Sequence, residues 1–479
     1  MGFRGWLVVS LEFLSECLFY YRMNISSLLQ QISGMVWGTP SMVLLVGTGL
    51  YLTVRFGLVQ FRGFKHALEI VSGKYDREED PGEISHFRAL CTALSGTVGT
   101  GNIIGVAAAV LMGGPGAVFW MWVTAAVGMA TKFTSCTLAV HYRKVDERGE
   151  VHGGPMHFIE MGMKAKFKWL AVLYAAFTAI ASFGIGNMFQ VNSMVGAVNG
   201  IIYGHESDPA FIVRLGVGLV TAAVVAFVII GGIKRIAAWS GKIVPFMCTF
   251  YVGGALFILL THADRILPGF GLIFSQAFSA PESVSGGLLG GVIRSGVSRG
   301  LFSNEAGLGS AAMAHSAAKT DQPVREGLVA MLEPFIDTLV ICSMTALVII
   351  CTGAHNEVTN KALVTSHAFN LGLPGSGWLV SMAILFFAFS TLIAWSYYGD
   401  RAVDYLFGHR AVVVYRWLYV IFIVVGALHS LEDVINFCDT ANGLMAFPNL
   451  IALLALSPVV FKLTRDYFDQ LKTTKTSKT

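Results

Sequence analysis

Apolar runs of about 20 residues, the length that spans a bilayer's hydrocarbon, recur along this chain from residue 40 to residue 461, with short polar segments between them. The pattern predicts eleven membrane spans, near residues 40–58, 87–112, 115–140, 169–200, 210–232, 236–262, 285–312, 327–352, 375–398, 411–429 and 434–461. Residues 1–22 are ambiguous. The stretch WLVVSLEFLSECLFYYR is apolar, but Glu12 and Glu16 fall on one face of any helix it forms, and no clean cleavage site marks it as a signal peptide. Met23 opens a more ordinary segment, so the residues before it read as an upstream extension or a weak interfacial helix.

Composition strengthens the membrane reading. The 479 residues are 54% hydrophobic and 13% charged, against about 25% charged in an average soluble domain, and the mean hydropathy is +0.65. The net charge of +4 needs no nucleic acid, because basic cytoplasmic loops give the same excess. Lysines and arginines also set the orientation. With the 59–86 loop inside, the inner segments hold Arg62, Lys65, Lys74 and Arg77, the clusters at 143–168, 234–242, 319–325 and 401–416, and the basic tail. The outer segments hold only Arg4, Arg22, Arg214, Arg265 and Lys361. This places the N-terminus outside and the C-terminus in the cytoplasm of a cell membrane of bacterial type. The seven cysteines show no CxxC and no histidine partner nearby, and read as small buried hydrophobes.

Two spans are interrupted. SGTVGTGN (95–102) falls in the middle of span two, and RSGVSRGLFSNEAGLGS (294–310) falls within span seven. Five spans separate them, so the two helices cross in opposite directions. Glycine-interrupted spans at corresponding positions of two halves point to a transporter binding site on an inverted repeat. Unwinding at membrane depth frees N–H and C=O groups that need partners. A substrate carboxylate takes N–H groups at the positive end of a half-helix, and a cation or ammonium takes carbonyls. The competing reading is close helix packing through small residues, which Gly101 and Gly105 fit. A nucleotide-binding loop does not fit, since GTGNIIG has the wrong spacing and no lysine follows.

LSGTVGTGNIIGVA, GGPGAVFWMW, HGGPMHFIE, GIGNMFQVNS, SRGLFSNEAGLGSA and FSTLIAWSYYGDRA resemble the alanine or glycine:cation symporter family, the sodium:alanine symporters, over roughly residues 23–465. The resemblance implies an all-α polytopic membrane protein of LeuT-type fold, a 5+5 inverted repeat preceded by one extra helix. The expected units are an N-terminal extension (1–39), an extra transmembrane helix with a cytoplasmic loop (40–86), a first five-helix repeat (87–262), an inverted second repeat (263–461) and a cytoplasmic tail (462–479). It also implies cotransport of a small neutral amino acid with sodium, or with protons in some members, and no obligatory protein partner.

Carried over residue by residue, the resemblance implies that Asn102 lends an amide oxygen to a sodium near the substrate. The Ser95 and Val98 carbonyls face a second sodium, completed by the Ser390 and Thr391 hydroxyls and the Phe387 carbonyl. Neutral oxygens suit a monovalent ion; a Ser or Thr in a membrane helix otherwise bonds back to its own helix. The N–H groups around Thr97–Gly101, with Val98 and the Thr97 hydroxyl, would take the substrate carboxylate. Gln190 would bond it from the side, the carbonyls of Gly296 and Val297 would receive the ammonium, and Thr391 and Trp395 would wall the pocket. SGTVGTGN itself carries no acid, which favours a zwitterion over an amine.

Lys132, Arg294, Arg299, Glu305, Glu333 and Asp337 lie at or near membrane depth, where charge marks pathways or paired networks. Glu333 and Asp337 share a helix face and could meet Lys132, Arg294 or Arg299, either as ion pairs tying a moving bundle or as a protonatable coupling site. His152 and His157 in HGGPMH lack a ligand cluster beside them and read as part of an inner-loop turn, not a metal site. A channel would need a continuous polar path, and a membrane enzyme a nucleophile–base pair or a motif such as HExxH; neither is present in the sequence. The reading is a sodium-coupled importer of alanine or glycine, with a proton-coupled carrier of a similar solute as the alternative.

Overall fold

The computed structural model describes residue 28 and residues 31–476, apart from residues 148, 205–206, 279–287 and 430–431. The readings of residues 1–22 and of Arg148 and Lys478 lie outside the described residues. Among the described residues, nine helices are long and apolar enough to cross a membrane. They are span one (Gln31–Arg55), three (Ala117–His141), four (Ala165–Tyr203), five (Phe211–Ile229), six (Gly232–Thr261), eight (Pro323–Thr352), nine (Gly377–Phe407), ten (His409–Leu428) and eleven (Asn436–Thr473). Span two is a bent pair, His86–Thr97 and Thr100–Gly113, with 62° between its halves. Leu288–Asn304 and Ser310–Ser316 stand where span seven was predicted.

Local chemistry sets several of these boundaries. Ser85 caps span two by accepting a bond from Arg88 N, and Pro323 opens span eight at a position where its missing N–H costs nothing. Pro448 and Pro458 sit inside span eleven. The segment between spans six and seven forms a helix, Ala263–Phe278, that buries only Gly269, Ile273 and Ala277.

The spans sort by contact into two groups. Span three packs on spans seven and eight, and span two joins them; span four packs on span nine and span five on span ten. Without a hydrophobic force between helices in lipid, close approach comes from small residues. A Cβ on Gly296 would strike the Ala117 carbonyl and Trp120 of span three, and one on Gly300 would strike Thr124. Gly296 and Val297 therefore correct the sequence reading. They lie inside the unbroken helix Leu288–Asn304, their carbonyls are taken by the helix ladder, and Gly296 serves packing. The chain leaves the helix later, at Glu305–Gly309.

At the end of the bundle bearing the 59–85 segment, a two-stranded hairpin (Lys144–Val145 with Val151–His152) closes the loop after span three. Arg143 beside it donates to the carbonyls of Pro81, Ser316, Ala318 and Thr320 at 2.6–2.7 Å. His152 Nδ1 meets Asp404 at 2.9 Å, and His157 lies edge-on to Tyr405. Burial lowers the His157 pKa to about 4.

Two predictions follow from this packing. Gly300→Val overpacks the contact of spans seven and three and should cost about 1–3 kcal/mol, read as a lower apparent Tm in detergent. The hydrogen bond to Asp404 raises the His152 pKa above its usual 6.5. The pairing thus stabilises fully below that value and fades as pH rises through the raised one. His152→Ala should lower the Tm at pH 6 and much less at pH 9.

Candidate functional site

The helix of span two ends where Val98 leaves helical geometry and Gly99 becomes extended. All three glycines of SGTVGTGN are there for close approach. A Cβ on Gly96 would come within 2.9 Å of Tyr398 Oη, one on Gly99 within 2.8 Å of Thr391 Oγ1, and one on Gly101 within 3.3 Å of the Phe302 ring. Gly99 N donates to Asn102 Oδ1 at 2.9 Å, so the asparagine closes the turn it sits in.

The second break, SNEAGLG, is held by side chains. Glu305 has φ 52°, a strained value for a residue with a Cβ, and Gly307 and Gly309 have φ 105° and 83°. Asn304 Oδ1 accepts from Ala306 N at 3.0 Å. Asn449 of span eleven donates to the Gly307 carbonyl at 2.7 Å, and Ser310 Oγ donates to the Glu305 carboxylate.

The two breaks meet at Asn102 and Ser303, where Asn102 Nδ2 donates to Ser303 Oγ at 3.1 Å. Asp337 of span eight joins them. Its carboxylate accepts from Asn102 Nδ2 at 2.5 Å, Ser303 Oγ at 2.8 Å and Thr338 Oγ1 at 2.7 Å. A π-helical stretch, Phe335–Cys342, sets this register; such bulges recur at functional sites. The interruption in span two lacks an acid, yet the folded cluster gains one from 235 residues away.

On the opposite side, Ser95 Oγ donates to the Ser390 carbonyl at 2.7 Å, and Ser390 Oγ lies 3.4 Å from the Ser95 carbonyl. Ser390 and Thr391 both also donate to the Phe387 carbonyl at 2.9 Å. The structure thus gathers Ser95, Phe387, Ser390 and Thr391 at the seam of spans two and nine, while both hydroxyls keep the back-bond to their own helix. Span four contributes a second π-helical stretch, Gly184–Met188. Gln190 Nε2 donates to its Ile185 carbonyl at 3.0 Å, and this aims Oε1 at Thr100 Oγ1, 3.2 Å away. Tyr419 of span ten donates to the Gly186 and Leu392 carbonyls at 2.7 and 2.9 Å. Trp395 is fully buried; a Cβ on Gly186 would run into it.

Other expected roles divide. Thr97 turns its hydroxyl back to Ala93 and Leu94, and Thr100 reaches Gln190 in its place. Lys132 pairs with Glu333 at 2.9 Å. Arg294 and Arg299 do not meet Glu333 or Asp337, because they lie on the far half of span seven. Arg294 is exposed, and Arg299 lines a surface cavity with Asp439, Trp37 and Phe302. Phe302, Ser303 and Thr100 were missed by sequence reading. The signal lay in SNEAGLG, three polar side chains before two glycines, whereas the resemblance placed the backbone contacts earlier in the segment, at Gly296 and Val297.

Two broken helices meeting at membrane depth, each restrained by partners from distant spans, define a secondary transporter. A profile of the Sodium:alanine symporter family matches residues 22–479, and the chain belongs to that family. It is 46% identical over 452 residues to the Sodium/alanine symporter AgcS of Methanococcus maripaludis, covering 93% of this chain and 98% of the relative. It is 37% identical to the Amino-acid carrier protein AlsT of Bacillus subtilis, over 90% of this chain and 89% of the relative. It is 36% identical to a protein of the same organism named "Probable sodium/glutamine symporter GlnT", over 92% and 90% of the two chains. Among solved structures, MhsT in complex with L-phenylalanine superposes with TM-score 0.55 at 14% identity, over 81% of this chain and 99% of that one. That likeness establishes the LeuT-type fold. The protein is a multi-pass membrane transporter, not an enzyme.

Gln190→Ala removes the partner of Ile185 and the neighbour of Thr100. Its expected effect is a rise of about tenfold in the KM for transported substrate, the size of one lost hydrogen bond in a buried site. Concentration-dependent uptake into proteoliposomes measures it.

Proposed function

We propose that this protein imports a small neutral amino acid, alanine or glycine, together with sodium. The observation that carries the reading is the junction of the two breaks at Asn102 and Ser303, with the Asp337 carboxylate against it. A sodium there would take oxygens from Ser303 and Asp337, and from Asn102 once its amide turns Oδ1 from Gly99 N toward the junction, hard ligands suited to a hard cation. Its charge would offset the buried carboxylate. A second sodium would use the Ser95 and Val98 carbonyls with Phe387, Ser390 and Thr391.

The substrate carboxylate would lie against the N–H groups of Thr100 and Gly101, which begin a helical turn and have no carbonyl one turn earlier to bond. Gln190 and Thr100 would hold its side. The ammonium would take carbonyls released at Glu305–Gly309, in place of the Gly296 and Val297 carbonyls. Phe302 and Trp395, both bulky and close to the breaks, favour a substrate with a short side chain. The N-terminus outside and the C-terminus in the cytoplasm remain the orientation that the basic loops support. Each sodium entering down a potential of 100 mV would contribute about 2.3 kcal/mol to accumulation.

Uptake of labelled alanine and glycine into proteoliposomes should require an inward sodium gradient. Asp337→Asn should raise the half-saturating sodium concentration about 10–100-fold, the effect of removing one close charge; Ser390→Ala should raise it several-fold. Uptake driven equally by a proton gradient without sodium would replace this reading with proton coupling through the Asp337 cluster.

A further inference from the structure

A second polar string lies in the same four-span bundle, away from the substrate site. His86 at the start of span two contacts Glu326 of span eight through Nδ1. The other oxygen of Glu326 meets His315 Nδ1 at 2.6 Å, in the short helix after the second break. His315 Nε2 meets Glu333 at 2.7 Å, and Glu333 meets Lys132 of span three at 2.9 Å. All five side chains are buried. The string as a whole joins spans two, three, seven and eight.

Hydrogen-bond chemistry fixes the protons. A carboxylate only accepts, and a neutral imidazole donates from one nitrogen only. His315 faces a carboxylate oxygen from both nitrogens, so two protons must lie across those contacts. The string then carries two carboxylates, one imidazolium and one ammonium, which cancel. His86 needs only the proton on Nδ1; its Nε2 has no hydrogen-bond partner and lies 4.0 Å from Asp76 in the 59–85 segment. The other end stops short of the substrate site, since no hydrogen bond joins Glu333 or Lys132 to Asp337 among the described residues. The Lys132 ammonium on Glu333 also leaves the neighbouring Cys136 thiol poorly placed to share a metal ion there.

We infer that this string is a proton-binding latch that holds the inner half of span two, His86–Thr97, and the short helix Ser310–Ser316, tied to it by backbone bonds between Ile84 and residues 317–319, against span eight, and that its proton exchanges with the side bearing Asp76. Parting this pair from span eight separates His315 from Glu326 and Glu333 and lets the second proton of its ring leave. Because the latched form holds more protons than the parted one, raising the pH favours parting, by up to about tenfold per pH unit while the proton is being lost. The neighbouring charged and titratable groups are Asp76 and Arg325 beside His86, Arg143 near Glu326, and Cys136, Glu305 and Asp337 around Lys132 and Glu333. None of them supplies a hydrogen bond to either histidine. The latch rests on alternating access in this family and not on the identity of the solute or the coupling ion.

The test is a distance measurement that needs neither alanine nor sodium. Spin labels go on two exposed positions, Arg88→Cys on the inner half of span two and Lys166→Cys at the start of span four, in a cysteine-depleted background. In the otherwise unmodified protein, a second distance population should grow as pH is raised from 6 to 9. His315→Gln should abolish its pH dependence, whereas His86→Gln, which keeps a donor on Glu326, should retain it and shows that a substitution in the string leaves the fold intact. A distance distribution unchanged from pH 6 to 9 would overturn the latch, and so would a pH response that persists undiminished in His315→Gln.

Discussion

A peptide group released from a helix at the depth of a bilayer has no water to bond, and everything distinctive in this molecule answers that constraint. At the first break Asn102 folds back onto Gly99 N. At the second, Asn304 and Asn449 take Ala306 N and the Gly307 carbonyl. In the π-helical stretch of span four, Gln190 and Tyr419 donate to the Ile185 and Gly186 carbonyls. Each partner comes from another turn or another span. The breaks are therefore rigid features of the packed bundle, not loose joints.

The same constraint explains how the junction holds a buried charge. A carboxylate buried at Asp337 with three hydrogen-bond donors is affordable only in a place prepared for charge. That place is where the two interrupted helices touch. On the other flank, hydroxyls of span nine and a carbonyl of span two share a seam, and back-bonds to their own helix keep the hydroxyls satisfied.

The buried pairs Lys132–Glu333 and His315–Glu326 do different work. They lie in the half of the bundle near the 59–85 segment and join spans three, seven and eight, with His86 adding span two, while Arg143 gathers four carbonyls of the loops around them. Removing one member of a buried pair costs about 3–5 kcal/mol, because the other is left charged and unpaired. Such an arrangement holds two helices in one of two states and resists positions between them, which is what alternating access requires.

The sequence by itself determined the positions of most spans and the first break, because hydropathy, helix period and glycine are local properties of the chain. It determined the family for the same reason, through long local motifs. Only the tertiary structure decided that the second break lies at Glu305–Gly309, that Gly296 packs against span three, that Asp337 enters the junction, and that His86, His315 and Glu326 form a string with Glu333. Those facts depend on the rotation and register of helices brought together from up to 240 residues apart, and a one-dimensional pattern carries no record of which face of one span meets which face of another.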